Sequence, residues 1–170
     1  MEALNRILRA QAISHGLCKQ WTEEWDLVGD MDSLVDKYKR GLDFCIENDY
    51  PSNAFIKEHF DADFLHKNHI YVDSDVSELE APSDIYVVQG TSVVDLHFKD
   101  YAVATIWVRH NSNAHIFVKG NARVFVHVYD QSECFVNQFG ESRVFVKKHS
   151  EESNVTTCGK ITYKEKKTSE

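Results

Sequence analysis

The chain has 170 residues, with 27 acidic against 19 basic side chains, a formal net charge of −8 at pH 7 and 42% hydrophobic residues. That length suits one compact unit or two small subdomains, and the negative charge opposes general nucleic-acid binding. No apolar run approaches the roughly 18 residues of a membrane span, the amphipathic N-terminus does not read as a signal peptide, and the four cysteines lack metal-site spacing. The expectation is a cytoplasmic protein with reduced thiols and no membrane association.

In the N-terminal stretch, Leu4, Ile7, Leu8, Leu17, Trp21 and Trp25 fall near helical spacing, and Leu34, Tyr38, Leu42 and Cys45 repeat the pattern after a break at Gly29-Asp30. The spacing predicts two amphipathic helices, the second capped by Asp32 or Ser33, and a short third capped by Ser52 that carries Ile56 and Phe60. The segment 61–69 fits neither pattern clearly, and Ile70-Tyr71-Val72 reads as a short strand. Residues 1–72 are therefore taken as a helical subdomain, 73–82 as an acidic linker, 83–164 as a second subdomain and 165–170 as a charged tail.

The second subdomain has a period of ten that runs without insertion or deletion from Ser92 to Glu151. Its first column is Ser92, Ala102, Ser112, Ala122, Ser132, Ser142, and its fifth is Leu96, Ile106, Ile116, Val126, Val136, Val146. Odd columns are mostly apolar or small and even columns mostly polar or aromatic, the alternation of a strand with one buried face. Asp100, His110, Gly120, Asp130 and Gly140 recur where each decad must bend, and Gly and Asp tolerate the left-handed backbone of a corner. One decad turns the chain once, so two close a coil. These columns predict an α+β chain in which a small helical subdomain precedes a short, right-handed, parallel β-solenoid with 20-residue coils. Three such coils span roughly 15 Å at about 4.8 Å per strand, with a partial earlier coil at Tyr86, Val88 and Gly90 and a weak continuation through Ser153, Val155 and Thr157 after a one-residue slip. An antiparallel meander is the alternative.

His15-Gly16-Leu17-Cys18, Gly41-Leu42-Asp43-Phe44-Cys45 and Phe55-Ile56-Lys57-Glu58-His59-Phe60 precede solenoid strings such as Ile106-Trp107-Val108-Arg109-His110, Lys119-Gly120-Asn121-Ala122 and Val128-Tyr129-Asp130. Taken over nearly its whole length, the chain resembles small proteins of gut Bacteroidetes and of their phages or mobile elements. The resemblance implies an accessory role in a bacterium or phage. It carries over no site residue.

Functional chemistry is therefore read from the outward columns. On one face the repeat stacks Arg123 with Arg143, Phe125 with Phe145, Trp107 with His127 and Lys147, and Arg109 with Tyr129 and His149. Aromatic planes beside cations suit a nucleotide, a phosphorylated ligand or an acidic protein surface, and the same side chains equally suit packing against a second protomer. The other face offers His115 with Phe135, His97 with Phe117, and Lys99 with Lys119 and Phe139. The leading expectation is a non-enzymatic binding protein, a phage or mobile-element factor that inhibits or sequesters a host protein or small signalling nucleotide, forming a homo-oligomer. The alternative is a small enzyme acting on a phosphate- or sugar-containing substrate at an oligomer interface, with His110, His127 or His149 as acid or base. His66 and His69 near Asp61, Asp63 and Glu58 lack the glutamate arrangement of zinc hydrolases, so neither metal nor cofactor is expected.

Overall fold

The computed structural model describes residues 1–166. It contains six helices followed by eleven strands, and the chain divides into two compact units, one from Met1 to Asp61 and the other beginning at Ala62.

In the first unit the apolar spacing yields helices, with breaks that the spacing alone does not show. α1 (Glu2–Ser14) stops before Gly16, whose φ of 87° lies in the left-handed region, and α2 (Lys19–Glu24) starts afresh, so the first helical stretch is two helices. α3 (Met31–Arg40) is capped by Asp30 rather than Asp32 or Ser33, because the Ser33 backbone N–H donates to Asp30 Oδ1 at 2.9 Å. α4 (Leu42–Glu47) follows after Gly41, and α5 (Asn53–His59) is capped by Ser52, whose Oγ accepts from Phe55 N–H. Leu8, Ala12, Leu34, Cys45 and Tyr50 form the core of this unit, and the buried Tyr50 hydroxyl donates to the Leu8 carbonyl at 2.6 Å. Asn5 joins α1 to the loop after α2, accepting from Trp25 Nε1 and donating to the carbonyls of Asp26 and Leu27.

The second unit opens with α6 (Ala62–Lys67), which contacts β1 (Ile70–Val72), and continues as a parallel β-solenoid of about five coils. One sheet stacks β1, β3 (Ile85–Gln89), β5 (Val103–Val108), β7 (Arg123–Val128), β9 (Arg143–Lys148) and β11 (Ile161–Glu165). The other stacks β2 (Asp75–Glu78), β4 (Val93–Phe98), β6 (Asn113–Val118), β8 (Glu133–Gln138) and β10 (Asn154–Cys158). Register in the regular coils advances by twenty, as in Val103 beside Arg123 and Arg123 beside Arg143. The odd columns meet between the sheets, where Leu96, Phe98, Ile106, Ile116, Val118, Val124 and Val128 are fully buried.

The column-one serines do more than leave room at the bend. Ser132 Oγ donates to Tyr129 O and lies 3.3 Å from Val108 O one coil below, and Ser142 Oγ repeats this with Phe139 O and Val118 O. Each hydroxyl thus ties a corner to itself and to the preceding rung, adding a side-chain donor to the Val108 and Val118 carbonyls that the rung-to-rung backbone hydrogen bonds already engage. Asp100, His110 and Asp130 sit at φ of 54–58° in the corner column.

The linker expected at 73–82 is instead part of the solenoid. β2 pairs with β4 from Asp75 beside Val93 to Glu78 beside Leu96, Val76 packs on the core, and Ser74 N–H donates to Ser92 Oγ. Backbone pairing on an existing rung holds this acidic strand, so the stack is longer than the three regular coils. At the other end, β10 follows the one-residue slip, with Asn154 beside Glu133, and β11 adds a last strand against β9. Of the tail read at 165–170, Glu165 closes β11 and residues 167–170 lie outside the described residues.

Candidate functional site

The outward side chains of β5, β7 and β9, with those that follow each strand, form a ladder of rings. Trp107 and His127 stack at 4.3 Å with planes 9° apart, and Tyr129 and His149 stack at 4.1 Å and 10°. The two pairs merge: Trp107 lies 5.9 Å from Tyr129, and His127 Nδ1 is 3.0 Å from His149 Nε2, a hydrogen bond between the two imidazoles. A second stack, Phe125 on Phe145, has centroids 5.1 Å apart and planes 11° apart. The register causes this, because identical columns on successive rungs lie side by side, within the range of favourable aromatic contact.

Beside the phenylalanines, Arg123 and Arg143 are paired residues of β7 and β9 and both are exposed. Among the described residues, neither they nor Lys147 makes an ion pair. On the opposite sheet Lys99 pairs with Glu80, and His115 Nδ1 lies 3.0 Å from Asp95 Oδ1, while Lys119 makes no ion pair among the described residues. The ring pairs His97 with Phe117 and His115 with Phe135 are present there too. Among the described residues the first face thus carries three cations without an ion pair, Arg123, Arg143 and Lys147, against Lys119 alone on the opposite face.

Of the nine residues read as the site, eight lie on this face as described, and Arg109 does not. It is only 5% exposed, with Nε 3.8 Å from Asp130 Oδ2. Asp130 also accepts the His110 backbone N–H at 2.8 Å, so its carboxylate draws the guanidinium into the corner. His110 likewise stands apart from His127 and His149, since its Nδ1 accepts from Gly90 N–H at the preceding corner.

Burial holds the His149 imidazole well below its ordinary range, at about 4, with Lys147, His127 and Lys166 adding to the effect. It is neutral at pH 7, consistent with its hydrogen bond to a second imidazole. Cys134 is inward and its thiol is pushed up to about 12 by burial, which makes it a poor nucleophile. His66 and His69 are engaged separately, with Ser74 Oγ at 3.1 Å and Asp84 Oδ2 at 2.6 Å, and among the described residues no group of three His, Cys, Asp or Glu is placed to hold a metal. No helix among the described residues is long and apolar enough to cross a membrane.

Two residues beside this face escaped the sequence reading. Gln138 ends the apolar seventh column and Lys160 follows the slip in register, so both read as fading periodicity, yet they build the last corner together through Lys160 N–H and Gln138 Oε1 at 2.8 Å. No protein-family model, curated protein or solved structure matches the chain.

Proposed function

We propose that this chain is a non-enzymatic binding protein that holds its partner against the outward face of β5, β7 and β9. The observation that carries the reading is the merged stack of Trp107, His127, Tyr129 and His149 beside the Phe125–Phe145 pair and two arginines without carboxylate partners. The rings stand on a hydrogen-bonded sheet and brace one another, so little side-chain entropy remains to be lost on binding. Phe125 and Phe145, 39% and 38% exposed, offer apolar area, and the arginines offer charge to a phosphate or carboxylate. The setting we propose is a phage or mobile element, with a host protein or small signalling nucleotide as the sequestered component and a homo-oligomer as the working form. This setting rests on the resemblance of the sequence and on the second ring-bearing face.

The enzymatic alternative draws on the His127–His149 hydrogen bond. Against it, His149 binds protons too weakly to act as an acid near neutrality, and His127 is stacked on Trp107. The test is native mass spectrometry of the protein recovered from a bacterial cytoplasm, compared with a variant carrying Trp107→Ala, Phe125→Ala, Tyr129→Ala and Arg143→Ala. The expected result is a stoichiometric bound species on the native chain that is missing from the variant, with the strand circular dichroism unchanged. A bound species retained by the variant, or a native chain with nothing bound, overturns the reading.

A further inference from the structure

The solenoid is irregular at its last corner. Cys158 lies beside Asn137 and Ile161 beside Val144, so two residues separate the paired positions here where six separate them in the preceding coil. Gln138 fills the inner part of the missing arc. It is 7% exposed, its Nε2 donates to Gly140 O at 2.8 Å and Ser142 O at 3.0 Å, and its Oε1 accepts from Lys160 N–H. Gly159 permits this closeness, since a Cβ there would lie 2.4 Å from Gln138 O. The outer part of the arc is left open as a hollow of about 260 Å³ lined by Gln138, Glu141, Arg143, Phe145, Lys160 and Thr162 among others.

Two features of this hollow point to a ligand. Arg143 and Lys160 both border it, and among the described residues neither has an ion-pair partner, while Glu141 is the single acid on its wall. Two cations against one carboxylate leave a net positive site, and an arginine with a lysine is a suitable pair for a phosphate. The ring ladder also ends here. Phe145 stacks on Phe125 on one side, but on the next rung its register partner is Thr162, so among the described residues no third ring continues the stack. A planar heterocycle fits the place that a third aromatic rung would take. The volume of about 260 Å³ lies below the roughly 300–1,000 Å³ of pockets that enclose a whole ligand, which suits a phosphate inside and a ring lying on the adjoining face.

We infer that this corner hollow is the phosphate subsite of a nucleotide whose base stacks on Phe145, with Arg143 and Lys160 as the phosphate ligands. The inference rests on the binding-protein reading above and names the chemistry of its ligand. It involves no bond making or breaking. Glu141 opposes the anion, so its neutralisation strengthens binding.

The probe is a fluorescent N-methylanthraniloyl derivative of ADP, followed by anisotropy on the full chain, with ADP, adenosine and pyrophosphate as unlabelled competitors. ADP is expected to compete at least tenfold better than adenosine or pyrophosphate, because each of these keeps one half of the recognition. Arg143→Ala and Lys160→Ala are each expected to weaken binding about tenfold, as for loss of one charge-assisted hydrogen bond. Lys160→Arg should retain binding and Glu141→Gln should tighten it. All three positions are exposed, and thermal melting confirms that the variants are folded. Probe binding that is lost in Trp107→Ala but unchanged in Arg143→Ala and Lys160→Ala overturns the hollow and leaves the face intact. No probe binding, while native mass spectrometry still finds a species that depends on the ring face, overturns the nucleotide alone. No probe binding and no bound species overturn both.

Discussion

Rung-on-rung packing at the corners is tested by comparing Gly120→Ala with Gly140→Ala. Both glycines have positive φ, 69° and 62°, and both occupy the same corner column. Asp100, His110 and Asp130 hold that backbone with side chains, so conformation alone does not demand glycine. The difference lies in the space. A Cβ at Gly120 would stand 2.9 Å from Asp100 N and 3.2 Å from Asp100 Cα and O, all backbone atoms of the rung below, whereas at Gly140 nothing lies within 4 Å. Alanine at Gly140 therefore carries only the left-handed penalty of about 1 kcal/mol. At Gly120 an overpacking cost of about 1–3 kcal/mol is added, because the obstructing atoms belong to the ladder and move only with it. The expected destabilisation is about 2–4 kcal/mol for Gly120→Ala against about 1 kcal/mol for Gly140→Ala. Urea unfolding followed by strand circular dichroism, with unchanged m-values, reads both. Equal losses would refute the claim that the corner at Gly120 rests on the backbone of Asp100.

Two further outcomes follow from burial. An imidazole that titrates at 6.5 in the unfolded chain and about 4 in the folded one binds more protons when unfolded, so His149 makes stability fall as pH drops from about 6.5 towards 4 and contributes no slope above that window. The His149→Gln variant should show a shallower fall between pH 7 and 5 in urea unfolding, and an unchanged slope would remove His149 as its source. Cys18 and Cys158 are exposed while Cys45 and Cys134 are buried, so Ellman's reagent should label two thiols quickly on the native chain and the remaining two only on unfolding. Rapid labelling of Cys134 would contradict its inward position.

What was legible in the sequence was whatever the period of ten repeats. A fixed register places identical columns side by side, so the buried stack of Leu96, Ile116 and Val136 and the stacked pair Phe125 and Phe145 follow from counting residues. β2 was not legible because Val76 is its one inward apolar residue, and the strand is held by hydrogen bonds to a rung that composition does not reveal. Arg109 occupies an outward column, but it follows the last residue of β5 and so lies at the corner, where Asp130 one coil above captures it. Gln138 and Lys160 read as the decay of a pattern because their role is a hydrogen-bonded closure, which has no hydrophobic period. The ring ladder was thus foreseeable, whereas the difference in charge matching between the two faces depends on distances between side chains far apart in sequence.

The most direct test of the central claim is site-specific photocrosslinking in bacterial cells, with p-benzoylphenylalanine replacing Phe125 on the proposed face or Phe117 on the opposite sheet. The account predicts a discrete crosslinked species from position 125 that is absent from position 117 and that disappears when Trp107→Ala, Tyr129→Ala and Arg143→Ala are added. Crosslinking that is equal from both positions, or confined to position 117, would contradict the assignment of the binding face.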